Sequence, residues 1–548
     1  MSAASADQSS DPVEGAAGAV IEPWAPMRRP VFRLLWIAGL AANICSGMFD
    51  VAAAWSMTTA PGATPLRVAL VQTAATVPVF LLALPSGALA DIVDRRRYLI
   101  FSQLWVAVVS FAVAALALTG ELAPGLLFVA AFLMGTGLVM RLPTFGSLIQ
   151  EVVPRGEISA AVVLYGVALN ASRAVGPIIA GAIVAMGGTA YVFLINGALS
   201  VAAAYLLVRW QREPPPPSNL PSERFMGAMR VGVQFLRNTP ALLAILARGA
   251  AYSFFGVAPL ALLPMLARLH LDGGPTTYSL LVSCFGLGAL LLASTVGKLR
   301  KRFSRDQLVI LAWLLSIVTS ASVAVSHDAV VACLAMLCAG FAWMAAFGAF
   351  QVAAQMALPR WVGGRGQAWV LMALWIGMAG GGAAWGQLAT KTSLSTSLLL
   401  AAATSLLGLL ATLRLKLGGR DEEDLTPSPY WREASPVVPI ELGQGPVLVS
   451  VEYRTDPADV DEFLLLMQES RRMRLRNGAI SWSIFRDVDD AGIFVEQFMD
   501  ESWLAHLRHR ERVTAAEAEI RRRKLALHIG EHPPTVRYLI GADIPNGK

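Results

Sequence analysis

Five ionisable side chains interrupt otherwise apolar stretches of this sequence: Asp50, Arg141, Glu151, Arg173 and Arg248. The run LLFVAAFLMGTGLV, just before Arg141, shows how hydrophobic their surroundings are. A charge held in hydrocarbon costs roughly 3 kcal/mol or more unless it is paired or wetted, so such residues mark ion pairs, proton carriers or water-filled cavities. Asp50 and Arg141 suit a reversible ion pair. Protonating Asp50 would release Arg141 and bias the surrounding structure, which is one way to couple movement of a solute to movement of protons. A static structural pair, or an Asp50 already in water, is the plainer alternative.

These residues are positioned by long apolar helices. The chain has 548 residues, 55% hydrophobic and only 15% charged, with a mean hydropathy of +0.56, a balance that excludes an ordinary soluble enzyme of this length. Crossing a bilayer takes about 20 apolar helical residues. Twelve segments meet that length, at 31–58, 66–90, 98–119, 124–149, 160–186, 188–209, 241–267, 277–298, 307–326, 329–357, 364–388 and 393–415. A soluble protein with buried core helices would need polar helix faces that these segments lack. Cys45, Cys284, Cys333 and Cys338 all lie in apolar segments, so neither a disulfide framework nor a cysteine metal site is expected. Residues 1–30 are small, polar and acidic and read as a disordered cytoplasmic tail rather than a cleavable signal.

Orientation follows from Lys and Arg, which are retained on the cytoplasmic side. With the N-terminus inside, the inner connections collect Arg28, Arg29, Arg95, Arg96, Arg97, Arg209, Arg237, Arg300, Lys301, Arg302 and Arg414, whereas the outer ones hold Arg67, Arg268 and Lys391. Both termini are therefore expected in the cytoplasm, with the chain in the cell (inner) membrane. The inner connection at 210–240 opens on a proline run and closes as a basic amphipathic stretch, dividing the membrane region into halves at 31–209 and 241–417. An offset of 205 residues lays one half on the other: Gln150, Pro154 and Arg155 fall on Gln355, Pro359 and Arg360, and Gly135, Gly176 and Gly181 on Gly340, Gly381 and Gly386. Asn43 and Arg248 occupy equivalent positions at the same offset.

The stretch GALADIVDRRRYLI, between the second and third spans, resembles a signature of the major facilitator superfamily through Gly87, Leu89, Ala90, Asp91, Arg95 and Arg96. Asp94 stands where many members have Gly. A second likeness is NASRAVGPIIAGA in the fifth span, where Gly176, Pro177 and Gly181 match the antiporter motif. With LWIAGLAANI and ESWLAHLRHRERVT, the chain is most similar to the branch of enterobactin-exporter-like permeases called transmembrane secretion effectors. The resemblance implies two six-helix repeats that rock about a central cavity lined by spans one, four, seven and ten. It implies a conformational latch at Gly87, Asp91, Arg95 and Arg96, with topology anchoring as the bland alternative for the arginines. Asp50 and Arg141 would couple to protons. Asn43, Arg248, Trp343, Phe347, Gln351 and, from span eleven, Trp375 would face a small-molecule substrate, although membrane aromatics more often face lipid or other helices. Arg173 is expected to pack at a helix interface or reach the inner surface rather than bind substrate.

After a charged, proline-bearing linker at 418–445, residues 446–542 read as strand, helix, hairpin, one long basic helix (ESWLAHLRHRERVTAAEAEIRRRKLALH) and a final strand. That order, βαββαβ, implies a ferredoxin-like α+β domain, in outline similar to the dimeric antibiotic-biosynthesis-monooxygenase-like barrel, so self-association through it is a candidate contact. His506 and His509 share a helix face, but with His528 and His532 no carboxylate or Cys set completes a metal site, and a solvated basic helix is the expected reading.

The fold expected is thus an all-α polytopic membrane protein of twelve helices in two six-helix repeats, carrying a cytoplasmic ferredoxin-like domain. No GxxxxGK[ST] loop is present, so a gradient rather than ATP must drive it. The function expected is secondary active export of small amphipathic molecules, of the drug or siderophore class, with the proton as coupling ion. No enzyme activity, cofactor or nucleic-acid partner is expected. A membrane-anchored sensor whose C-terminal domain binds a ligand or partner is the alternative.

Overall fold

The computed structural model describes residues 24–154, 157–210, 225–359, 361–418, 428 and 439–542; a few helical positions within these, among them Gly87, Asp91 and Glu151, are described in backbone only. The first half holds α1 (Pro30–Thr59), α2 (Pro65–Ile92), α3 (Arg95–Thr119), α4 (Pro124–Val152), α5 (Ile158–Gly187) and α6 (Thr189–Arg209). The amphipathic stretch before the second half is helix α7 (Phe225–Arg237). Next come α8 (Pro240–Gly256), α9 (Ala258–Leu269), α10 (Pro275–Arg302), α11 (Arg305–Val325), α12 (Ala329–Ala357), α13 (Gly363–Lys391) and α14 (Leu394–Thr412). Taking α8 and α9 as one span, 12 helices among the described residues are long and apolar enough to cross a membrane.

The helix ends follow local chemistry. Pro opens α1, α2, α8 and α10, where its missing N–H forfeits no helical bond. Side chains of Asp94, Ser304, Asp328 and Ser393 accept hydrogen bonds from the first-turn amides of α3, α11, α12 and α14. Asp94 is thereby explained: the turn after α2 needs a capping acceptor more than the freedom of glycine. The seventh span, expected to be unbroken, divides at Val257, with Pro259 in the first turn of α9.

The 205-residue repeat is visible in packing. A Cβ on Gly135 would run into the Ala75 carbonyl of α2, and one on Gly340 into the Phe285 carbonyl of α10, so each half uses the same glycine to bring two backbones together. Gly181 presses likewise on Ser279 of the other half, and its equivalent Gly386 on Ala69. The halves therefore meet along α5 with α10 and α13 with α2. At the end away from the described termini, a single buried apolar cluster runs through both halves, from Met48, Val68 and Phe193 to Leu262, Met336 and Trp385. Toward the other end each half has clusters of its own, around Leu35, Leu99 and Leu207 in one and Ile245, Trp313 and Phe350 in the other.

The C-terminal domain comprises β1 (Val447–Arg454), α15 (Val460–Asn477), β2 (Ser481–Arg486), β3 (Ile493–Asp500), α16 (Trp503–Glu511), α17 (Ala515–Ala526) and β4 (Thr535–Ile540). The antiparallel sheet has the order β2-β3-β1-β4, with Val449 opposite Phe498 on one side and Tyr538 on the other, which is the ferredoxin-like arrangement. The single long basic helix expected from the sequence is instead two. Thr514 caps α17 in a reciprocal capping box with Glu517 and forces the break after Arg512.

Candidate functional site

Asn43, Ser46 and Asp50 lie three and four residues apart on α1, so they share one helix face over about two turns. From α4, Arg141 reaches that face: its guanidinium donates to Asn43 Oδ1 at 2.9 Å and to Ser46 Oγ at 3.4 Å. The ion pair expected between Asp50 and Arg141 is not formed. Arg141 is 7% exposed and engaged one to two turns along α1 from Asp50, whose own surface is open and which has no hydrogen-bond or ion-pair partner among the described residues. An ionisable carboxyl within a membrane helix almost always faces the bundle interior or a water-filled cavity. Ser46, between the two, is the residue that sequence reasoning missed; serine in a membrane helix carries no charge signal to single it out.

Arg248, the counterpart of Asn43 in the second half and expected to face the cavity with it, is elsewhere. It is 1% exposed, ion-paired with Asp306 at the start of α11, and donates to the Leu415 carbonyl at 3.0 Å. Asp306 also accepts from the Leu417 amide at 3.2 Å, so the group ties α8, α11 and the exit of α14 together. Trp343 is likewise core, not lining. Its ring packs 5.8 Å from Tyr252, which Trp313 and Phe350 also flank. Phe347, Gln351 and Trp375 remain partly exposed, and the Gln351 carbonyl accepts from Gln367 Nε2 at 3.2 Å.

Of the loop signature, Gly87 and Asp91 fall outside the described side chains. Arg96 is spent on the C-terminal carbonyls of α6, donating to Leu207 O at 3.0 Å and to Val208 O. Such bonds satisfy orphan carbonyls and favour the negative helix end. Gly176 and Pro177 pack α5 against α1 at Ile44 and Gly47. Arg29 closes the same end through a two-pronged pair with Glu157 at 2.9 Å.

The histidine face of the C-terminal domain is buried, against the expectation of a solvated basic helix. His506 and His509 are 0% and 1% exposed, and their Nδ1 atoms lie 2.8 and 2.9 Å from the two oxygens of Asp500, the carboxylate that sequence spacing did not reveal because it comes from β3. Beside it Glu496 collects Ser470 at 2.7 Å, Trp482 at 3.0 Å and Lys524 at 3.1 Å. Burial alone would raise both carboxyls. The charges of Lys524 and Arg474 on Glu496, and the histidines on Asp500, overcome it and hold both well below the usual carboxylate range. Burial pushes Lys524 down to about 8, against the pull of Glu496. Carboxyls so lowered contribute stability that is complete above their unfolded values near about 4 and is lost as pH falls through the folded ones. Hydrogen exchange in β3 should therefore be unchanged by these groups from neutral pH to about 5 and accelerate below about 4. Glu496→Gln, which strands Lys524, should cost about 3 kcal/mol and speed that exchange about 100-fold at pH 7.

This domain is seated on the membrane region. Glu501 pairs with Arg230 of α7, Gln234 donates to the Ala479 carbonyl at 3.4 Å, and the Arg512 guanidinium lies 4.4 Å from the centre of the Trp361 ring, before α13. Phe235 of α7 meets Trp361 edge to face at 5.6 Å.

A family model described as transmembrane secretion effector matches residues 21–546. An uncharacterized MFS-type transporter, YfiS of Bacillus subtilis (strain 168), is 27% identical over 333 residues, 58% of this chain and 78% of that protein. Among solved structures, the inward-facing, occupied form of a bacterial homologue of the human lysosomal transporter Spinster aligns at TM-score 0.54 and 16% identity, covering 71% of this chain and 94% of that one. The nucleoside transporter NupG aligns at TM-score 0.57 and 14% identity, covering 70% and 99%.

Proposed function

The chain belongs to the transmembrane secretion effector family and is a membrane transporter of the MFS type, and on that premise we propose that it exports small amphipathic molecules, of the drug or siderophore class, in exchange for protons. The observation that carries the reading is the buried Arg141 on the Asn43–Ser46 face with an open Asp50 one turn further on. Protonation of Asp50 removes the one negative charge on that face, and deprotonation restores an acceptor about 6 Å along the helix from Ser46, within the swing of an arginine. Arg141 thus has two stations, and a proton decides between them.

Alternating access needs one end of the bundle closed while the other opens. The apolar cluster common to both halves is the closed gate of this reading, and the end where each half keeps its own cluster is the open one. Lys and Arg are concentrated at that end, which supports cytoplasmic termini in the cell membrane and an inward-facing state. The docked C-terminal domain favours a regulatory role alongside transport rather than a sensor that has replaced it.

Reconstituted vesicles carrying a panel of fluorescent amphiphiles test the reading. An imposed pH gradient should drive at least one member against its own gradient, and collapsing the proton gradient should stop it. Flux indifferent to the gradient for every probe would remove the proton from the mechanism.

A further inference from the structure

A cavity of about 480 Å³ opens between α10, α11 and α12 at the end of the bundle that carries the termini. Arg141 and its partners are not among its lining residues, and its walls are of two kinds. Leu292, Val296, Met344 and Val352 make an apolar floor; Arg300, Ser304 and Arg305 make the rim. Lys298, Arg300, Lys301, Arg302 and Arg305 crowd eight residues of sequence. Among the described lining residues the acid is Asp306, which is committed to Arg248 and the Leu417 amide.

The first turn of α11 begins on this rim, so its positive helix end adds to the arginines instead of offsetting them. A helix start normally attracts acidic residues, and the first turn of α11 here adjoins Arg300 and Arg305 on the rim as well as Asp306. Arg300 makes no hydrogen bond or ion pair among the described residues, and its guanidinium reaches across Gly348, 3.8 Å from where a Cβ would stand. The bare glycine keeps the passage between rim and floor open.

We propose that this cavity binds an anionic phospholipid, its phosphate held by Arg300 at the start of α11 and its first acyl carbons on the floor around Val296 and Met344. The volume accommodates a headgroup and the upper part of a chain, with the remainder continuing into the bilayer. A cationic recess between membrane helices at headgroup level selects anionic over zwitterionic lipid at about 1 kcal/mol per arginine. The inference rests on the membrane reading above but not on the substrate or the coupling ion, so it survives failure of either.

The test uses the full-length protein in phosphatidylcholine nanodiscs with spin-labelled phosphatidylglycerol as probe. An immobilised lipid component is expected, and Arg300→Gln should weaken it about five-fold. Arg302→Gln removes the same charge from a side chain that is not among those lining the cavity, and should change it less than about two-fold. Gly348→Leu should abolish the component while leaving every charge in place. Equal losses for Arg300→Gln and Arg302→Gln would reduce the effect to surface charge, displacement of the probe by inorganic phosphate would make the site one for free anions, and immobilisation unchanged by Gly348→Leu would take the lipid out of the cavity; each of these overturns the proposal.

Discussion

Asp50→Asn should leave a transporter that still exchanges solute but no longer responds to an imposed pH gradient, whereas Arg141→Gln should lower flux at least tenfold under every condition. Asparagine keeps the size and polarity of the open carboxyl but cannot take up or release a proton, so only the coupling disappears. Glutamine at 141 is too short to reach α1 from α4 and gives up a charged bond to Asn43 at 2.9 Å and a longer one to Ser46. Such bonds contribute about 2 kcal/mol together, a roughly thirty-fold tilt between two conformations if they exist in only one. Vesicle flux with and without a pH gradient reads both variants. Persisting gradient dependence in Asp50→Asn would sink the assignment of Asp50, and a normal rate in Arg141→Gln would leave Arg141 as mere filling.

Gly286→Ala should move the population away from the conformation described. An added Cβ would sit about 2.5 Å from the Arg173 carbonyl oxygen, backbone that cannot swing aside, and the two residues belong to opposite halves. Overpacking of this kind costs about 1–3 kcal/mol. The cost arises only where α5 and α10 touch, so it is a shift of population by roughly five- to 150-fold rather than a loss of fold. A single cysteine at Thr73, whose hydroxyl bonds the Ala379 carbonyl of the other half at 3.3 Å, should become labelled at least five-fold faster from the far side in a background without native cysteines. Gly340→Ala is the contrast. Its clash with the Phe285 carbonyl lies inside one half, is present in every state, and should appear as lost thermal stability with Thr73 labelling unchanged. Equal labelling in Gly286→Ala and the parent would mean that α5 and α10 stay together throughout transport.

The features legible in the sequence are those governed by local or periodic rules. Span length, the 205-residue repeat and the βαββαβ order depend on apolar runs and turn residues, and each is present in the fold. The site was only half legible because burying a charge announces that it needs a partner without naming it. Arg141 found neutral Asn43 and Ser46 on α1, while Arg248 found Asp306, an acid that reads as an ordinary first-turn residue of another helix. His506 and His509 escape the sequence for the same reason: their carboxylate, Asp500, is close in sequence but comes from a strand, and only the turn between β3 and α16 brings it under them. The one long basic helix failed at Thr514, where a capping box outweighs continuous helix propensity.

The seat of the C-terminal domain has a practical outcome. Its contacts described above are with α7 and Trp361, both adjoining the second half, so a rocking motion of that half would carry the domain along like a needle on a dial. A fluorophore on the exposed tip at Val488 would then report, from outside the membrane, a tilt too small to see within it.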